Sequence, residues 1–447
     1  MYAKSTKLGS ARPSDAASVS AELSALGHKN IEAYRHYVSD DMLAMLGKRS
    51  IAEVSRGDYI ERLMSLMFVD IRNFTSMSEN WAPSQSFSFI NEYLSCMEPA
   101  IRSYRGVIDK YMGDGILAVF SDSPDDAVRA GIELFKKLEE FNAAQFAEDA
   151  AIRIGVGINT GMVSMGVIGG EEHFENTVIS DAVNLASRLE SATKEYGCPL
   201  LISENTLCAL EPEHDFHLRF VDRIQVKGKR HPVSVYEVYD IDTPQIFALK
   251  EATQDCFEEA VALFYFGQIE AAERLLVSCS ADYPQDQLAC LYRERCAQVR
   301  SGKQQGSLEE FRLVLSWDDS VCIGEKGVDR QHHGLFVCGT RLIDLIKNNA
   351  PAEAIGACVT EFQGLFAEHA VYEERLMARS GYPFISFHCQ QHRAFSQQFD
   401  QLAENLCARL EARRYYTLFQ VQILVVDWLI NHTCGMDKHL GKYLRMR

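Results

Sequence analysis

Five histidines and two carboxylates recur at helical spacing through the last quarter of the chain. They constrain its fold more than any other feature. They are His332, His369, Glu373, His388, His392, His432 and Asp437. The stretches that carry them read as four amphipathic helices. His369 and Glu373 lie four residues apart in Glu368-His-Ala-Val-Tyr-Glu-Glu374, and His388 and His392 repeat that offset in Phe387-His-Cys-Gln-Gln-His392. Each pair therefore projects from one helix face. His432 and Asp437 are five apart, an offset that two metal ions or a local helix bulge would accommodate. A single such pair is an ordinary core or surface feature. Imidazoles and carboxylates pooled on the inward faces of several helices are how a bundle core holds a metal pair. Nitrogen and oxygen ligands without thiolate suit non-haem iron better than a zinc or iron–sulfur site.

The same segment carries Trp317, Asp329-Arg-Gln-His332, Met377 after the Glu373-Glu374 pair, and Trp428-Leu-Ile-Asn-His432. On these motifs residues 307–447 resemble a bacterial hemerythrin domain. The resemblance implies an all-α four-helix bundle holding two non-haem irons. It implies that the seven positions are the ligands, that two carboxylates bridge the irons, and that one iron is open to O2. NO and peroxide are alternative signals. His333 and His439 fall outside the ligand pattern and read as solvated.

At 447 residues the chain should hold two or three domains, and 47% hydrophobic residues provide for real cores. A formal net charge of −17 argues against a nucleic-acid polymer as partner. A nucleoside triphosphate stays compatible, because local Lys and Arg with Mg2+ offset a global negative field. Thirteen scattered cysteines without a Cys-x-x-Cys pair fit free thiols in a reducing compartment. Cys358, Cys389 and Cys434 read as small core residues. No apolar run reaches membrane-spanning length: the nearest, 421–430, is broken by Gln422 and Asp427. With no signal peptide apparent, the expectation is a cytoplasmic protein with no membrane contact.

Composition and periodicity divide the chain into a tail and lead-in (1–39), an alternating strand-and-helix domain (40–240), a helical connector (241–306) and the bundle (307–447). Within the second segment, 63–70 reads as a strand, 84–103 as a helix, and 107–120 as a hairpin. The hairpin turns at Met112-Gly-Asp-Gly115, where Asp-Gly favours a tight primed turn. Ser123-Pro124-Asp125-Asp126 starts a helix, 152–158 alternates as a strand, and 183–192 is helical. The connector suggests an antiparallel helix pair like one tetratricopeptide repeat, read as a rigid spacer. The hinge into the bundle is placed at 303–307.

Asp70 ends a strand in Phe68-Val-Asp-Ile-Arg-Asn-Phe-Thr75, and Asp114 sits at the hairpin turn in Lys110-Tyr-Met-Gly-Asp-Gly-Ile116. A strand end and an adjacent hairpin tip can converge. Two aspartates there could hold Mg2+ on a triphosphate, although an Asp in an Asp-Gly turn is commonly just a turn residue. In Asn176-Thr-Val-Ile-Ser-Asp-Ala-Val-Asn-Leu-Ala-Ser-Arg188, Asn184 and Arg188 share a helix face. They could reach one ligand, or they could form an ordinary solvated face.

As an ordered set these motifs resemble the class III nucleotidyl cyclase catalytic domain, an α+β ferredoxin-like fold. The resemblance implies that Asp70 and Asp114, with the Ile71 carbonyl, bind two Mg2+ (or Mn2+). It implies that Lys110 and Thr177 read the purine, Asn184 orients the ribose, Arg188 stabilises the transition state and Lys227 holds the triphosphate. It implies a head-to-tail homodimer with the aspartates from one protomer and the other groups from its partner. Adenine N1 accepts and its 6-amino group donates. Lys110 only donates and the Thr177 hydroxyl accepts, so the pair fits ATP, whereas guanine would favour an acid at the lysine position. Ser180 and Asn73 stand where Gly is commoner. Thr177 marks a subgroup some of whose members respond to bicarbonate.

The whole chain is expected to be an adenylate cyclase, making 3′,5′-cyclic AMP and pyrophosphate from ATP under control of O2 or redox state at the C-terminal irons. The alternatives are an O2- or iron-binding protein with a vestigial cyclase, and an NO- or peroxide-sensing cyclase.

Overall fold

The structure is a computed structural model that describes residues 40–50, 53–145, 151–169, 174–211, 213–225, 232–302, 317, 321–404 and 406–446. The tail, the 303–307 hinge and Lys227 lie outside these described residues. The chain divides into two compact units, 1–62 with 164–179, and 63–163 with 180–447.

Eight strands are described: β1 (Tyr59–Ile71), β2 (Val107–Met112), β3 (Gly115–Phe120), β4 (Ile154–Gly169), β5 (Phe174–Ile179), β6 (Leu200–Ser203), β7 (Leu218–Ile224) and β8 (Val233–Val238). Among the described residues they form one sheet in the order β2-β3-β1-β4-β6-β8-β7, with β5 paired to β4 off this path. β4 and β6 run parallel, whereas β1–β3, β2–β3, β6–β8 and β7–β8 are antiparallel. The sheet is therefore mixed. β3 is buried at every position, and a short apolar run of this kind belongs to a sheet covered on both faces.

In the smaller unit, the second half of β4 pairs antiparallel with β5, from Ser164 opposite Ile179 to Gly169 opposite Phe174. Val167 bonds the backbone of Gly57 and Asp58.

In the larger unit one sheet face is covered by α1 (Pro83–Ser103) and α2 (Pro124–Gln145). Tyr93, Met97 and Leu134 pack there against Met67, Val69 and Ile158. The Ser123 hydroxyl accepts the Asp125 N–H at 3.2 Å, which fixes the start of α2. α3 (Asp181–Tyr196) is capped by Ser180, whose hydroxyl accepts from Ala182 and Val183, and it ends at Gly197 with φ 68°. Gly157 on β4 faces α3 so closely that a Cβ there would overlap the backbone of Glu190 and Ala186.

The connector holds three helices, α4 (Pro244–Tyr265), α5 (Ile269–Asp282) and α6 (Gln287–Arg300). They are not a spacer. Phe257, Leu276 and Tyr292 share one core with Leu185, Leu201 and Val235 of the sheet layer. A buried charge network locks the joint. Arg219 of β7 lies 3.0 Å from Glu237 of β8 and 2.7 Å from Asp286, the cap of α6, and Lys250 of α4 lies 2.7 Å from Glu237. Burying such charges is costly unless each is paired, and here each is.

The helical C-terminal region contains α7 (Lys326–Lys347), α8 (Ala352–Ser380), α9 (Ile385–Ala403) and α10. α10 runs through Arg414–Gln422, a π turn at Ile423–Asp427, Trp428–His432, a second π turn at Thr433–Asp437, and Lys438–Arg445. Phe336, Phe362, Phe366, Phe395 and Trp428 form its core. No helix among the described residues is long and apolar enough to cross a membrane.

Candidate functional site

β1 and β3 pair with Val69 opposite Ile116, and β2 returns from β3 with Met112 opposite Gly115. The two-residue turn between them is Gly113–Asp114. Gly113 carries the positive φ of 70°. Glycine at the first central position is the II′ pattern, so the turn uses the glycine before Asp114 rather than the one after it. This register sets the Asp114 carboxyl within electrostatic reach of Asp70. A Cβ on Gly115 would sit 3.3 Å from Asp70 Oδ1. Burial first, then the charges of Asp114 and Glu190, push the Asp70 carboxyl up to about 7. A carboxyl raised by burial and by a second carboxylate beside it suits a divalent metal site, where a cation offsets both charges. Ile71 ends β1. Asn73, three residues after Asp70, has φ 57°, and Asn is a side chain that tolerates this left-handed conformation where Gly is the usual occupant.

Arg72 follows the pair and meets Glu190 of α3 at 3.2 Å, with both side chains largely buried. Nothing local to either residue signals this contact, because Glu190 reads as a solvent-face residue of an amphipathic helix. It orients α3. Glu190 faces the aspartates, and Arg188, two residues away, points about 200° around the helix. Asn184 is exposed and Arg188 half-buried. Arg188 Nη1 donates to the Gln225 carbonyl at 3.4 Å. Asp70 and Asp114 are thus brought together within one chain, and the Arg188 face of α3 is turned away from them. Lys110 sits on β2 beside a bulge, 3.6 Å from Asp109. Thr177 lies on β5 opposite Gly166.

The seven C-terminal residues converge and all are buried, His432 being the least so at 5% exposure. They form two overlapping sets, Glu373 with His388, His392 and His432, and Glu373 with His332, His369 and Asp437. Within each set the candidate donor atoms lie within 4.8 Å of one another. Both carboxylates touch both sets. Glu373 Oε2 is 3.4 Å from His369 and 3.2 Å from His388. Asp437 is 3.0 Å from His332 through one oxygen, and 2.9 Å from His388 and 3.1 Å from His432 through the other. The four oxygens of Glu373 and Asp437 nevertheless have no hydrogen-bond donor. Lone pairs buried without donors, ringed by imidazole nitrogens, are what a bound cation pair would satisfy.

Burial holds His369 down to about 3 and His432 down to about 4, in the neutral form that ligates, whereas at His388 and His332 the Glu373 and Asp437 carboxylates outweigh burial and raise the imidazole, His388 to about 10. Aromatic rings set the imidazole planes: Trp428 stacks on His432 at 4.2 Å. Glu374 Oε1 lies 3.4 Å from His392 Nδ1, a supporting contact of the kind that orients ligating histidines. His333 is exposed as expected, but His439 is half-buried and its Nδ1 is 2.8 Å from the Tyr382 hydroxyl. Of the three cysteines, Cys358 is buried, Cys389 is half-buried and Cys434 is exposed.

Residues 60–240 match the adenylate and guanylate cyclase catalytic domain family. The chain is 39% identical over 217 residues to a protein named adenylate cyclase from Anabaena cylindrica, covering 47% of this chain and 43% of that one. It is 32% identical to the solved adenylyl cyclase CyaB from P. aeruginosa, over 42% of this chain and 97% of that one, with a TM-score of 0.36. It is equally 32% identical to the solved guanylyl cyclase Cya2, over 41% of this chain and 95% of that one, with a TM-score of 0.36. The chain spans less than half the length of the curated relatives it matches, 43% in the Anabaena case. Residues 60–240 are an adenylate and guanylate cyclase catalytic domain.

Proposed function

We propose that this protein converts ATP to 3′,5′-cyclic AMP and pyrophosphate at a homodimer interface, under control of a diiron, hemerythrin-like four-helix bundle at its C-terminus. The observation that carries the cyclase reading is the Asp70–Asp114 pair, with the Arg188 face of α3 turned away from it. Under this reading one protomer offers the carboxylates and its partner offers Asn184 and Arg188 across a twofold axis. Asp70 and Asp114, with the Ile71 carbonyl, would hold divalent cations, which would supply the charge that activates the ribose 3′-hydroxyl and steadies the departing pyrophosphate. Asn184 holds the ribose so that the hydroxyl lines up with the α-phosphorus, and the Arg188 guanidinium meets the charge that builds there. Lys110 donates to adenine N1 and Thr177 accepts from the 6-amino group. Relatives at 39% and 33% identity are named adenylate cyclases, which supports ATP as the substrate. The Lys110–Thr177 chemistry supports the same purine.

The bundle reading is supported by the seven buried donors and the donor-less carboxylate oxygens. Irons held by those seven side chains would supply reversible O2 or redox chemistry there. The test is turnover of purified protein with ATP or GTP, with and without O2. Cyclic AMP formed faster than cyclic GMP, abolished in Asp70→Ala, supports the cyclase assignment. Rates that ignore gas and match a His369→Ala variant overturn the sensor.

A further inference from the structure

α10 carries two of the candidate iron ligands, and the same helix enters the cyclase sheet. Asp427 ends its first π turn, five residues before His432. One oxygen of Asp427 pairs with the Arg223 guanidinium, and the other accepts the Ser234 hydroxyl at 2.6 Å. Arg223 and Ser234 are directly opposite each other on β7 and β8, so a single carboxylate clamps a cross-strand pair. All three side chains are buried or nearly so. Asn431, adjacent to His432, donates to Glu204 Oε2 at 3.1 Å, which gives the helix a second polar attachment to the same layer. Phe419 of α10 packs edge-on against Phe220 of β7 at 5.1 Å.

β7 then leads to the catalytic helix. Two residues beyond Arg223, the Gln225 carbonyl receives Arg188 Nη1. Gln225 lies one residue past the end of β7 at Ile224, so the side chain that receives Asp427 and the carbonyl that receives Arg188 are two positions apart on one stretch of backbone.

We propose that the Asp427–Arg223 pair is the joint through which the ligand-bearing helix positions Arg188. This rests on the reading of the chain as a cyclase with a metal-holding bundle. Arg223 and Asp427 touch no substrate; they are positioning residues. A shift of α10 at His432 or Asp437 reaches Asp427 through one helix. Asp427 moves the Arg223–Ser234 rung, and Gln225 moves with it. An arginine displaced by a fraction of an ångström no longer meets the charge it must stabilise, so the effect falls on kcat rather than on ATP binding.

The experiment uses the full-length, iron-loaded protein and three variants: Asp427→Asn, Arg223→Ala, and the charge-exchanged double variant Arg223→Asp with Asp427→Arg. The expected results for Asp427→Asn are a kcat lowered about 10-fold to 100-fold, an unchanged KM for ATP, and wild-type iron content. A second readout is independent of turnover. Coupling is reciprocal, so α,β-methylene-ATP with Mg2+ should shift the visible absorption of the iron-loaded bundle in wild type and not in Asp427→Asn. Partial return of kcat in the double variant separates a positional role from loss of fold. Asp427→Asn with wild-type kcat and a wild-type analogue-induced spectral shift overturns the joint. So does a folded, iron-loaded double variant that fares no better than Arg223→Ala. If wild type itself neither turns over ATP nor retains iron, it is the functional reading that fails rather than the joint.

Discussion

His432 Nε2 lies 3.1 Å from Asp437 Oδ1 although five residues separate them. In a regular α-helix a five-residue step turns a side chain about 140° off the starting face. The segment between them is a π turn, Thr433–Asp437, and its i→i+5 bonding returns the fifth residue to that face. Inserting one alanine after Gly435, an exposed residue of this turn with nothing within 4 Å of where its Cβ would be, puts Asp437 six positions from His432 and should swing it out of the cluster, because neither α nor π register returns a sixth residue to that face. Metal analysis should then give less iron per chain than wild type, with affinity down by about 10-fold or more and helical circular dichroism retained. Wild-type iron content after the insertion would dissociate the π turn from ligation.

Asp70 gives a pH prediction. Its carboxyl is raised to about 7 by burial, then by Asp114 and Glu190. Divalent cations need it ionised, so at sub-saturating Mg2+ activity should fall as pH drops through about 7, and more Mg2+ should move the midpoint down. In metal-free protein the linkage has the opposite sense. A carboxyl whose folded pKa exceeds its unfolded value contributes stability at acid pH that is lost as pH rises through about 7. Thermal melts in chelator should therefore show Asp70→Asn gaining on wild type between pH 5 and pH 8. Parallel melting curves across that range would refute the assignment.

Gly157 tests whether α3 must lie flat on β4. A Cβ at this position would overlap the backbone nitrogen of Glu190, and neither strand nor helix backbone can give way cheaply. Gly157→Ala should cost roughly 1–3 kcal/mol, read from denaturant melts. It should also lower kcat, because Asn184 and Arg188 ride on the same helix. A melt within error of wild type would mean that α3 adjusts without strain.

These cases separate what the sequence discloses from what it conceals. The Met112-Gly-Asp-Gly115 hairpin, the start of α2 at Ser123 and the helical spacing of His369 with Glu373 are local features, each written in a few adjacent residues. Two departures from the cyclase pattern also become intelligible locally: Ser180 caps α3, and Asn73 takes a left-handed conformation. Arg72 with Glu190, and Arg223 with Asp427, are pairs of ordinary-looking charges far apart in sequence. Each residue reads as surface until the fold buries it. The connector misled for the same reason, because its apolar faces match a free-standing repeat as well as they match a covering layer. His439 gained its Tyr382 partner from the loop between α8 and α9, a contact that periodicity does not encode.

The connector's packing leads to a last prediction. Arg219 is 1% exposed and pairs with both Glu237 and Asp286. Burial alone would raise the Glu237 carboxyl, but Arg219 and Lys250 hold it below its ordinary value. A depressed carboxyl contributes stability that is present above the ordinary carboxylate range and lost as pH falls through the folded value. Arg219→Ala leaves two acids buried with one cation, Lys250, within reach of Glu237 and, among the described residues, none in an ion pair with Asp286. It should destabilise the protein by about 3–5 kcal/mol at neutral pH, measured by urea unfolding. The deficit should shrink toward acid pH, where the orphaned carboxyls take up protons. If the connector were only a spacer, Arg219→Ala would unfold α4, α5 and α6 and leave the sheet intact, giving two separate transitions. A core shared by Leu201 and Phe257 requires one transition, with sheet and connector lost together.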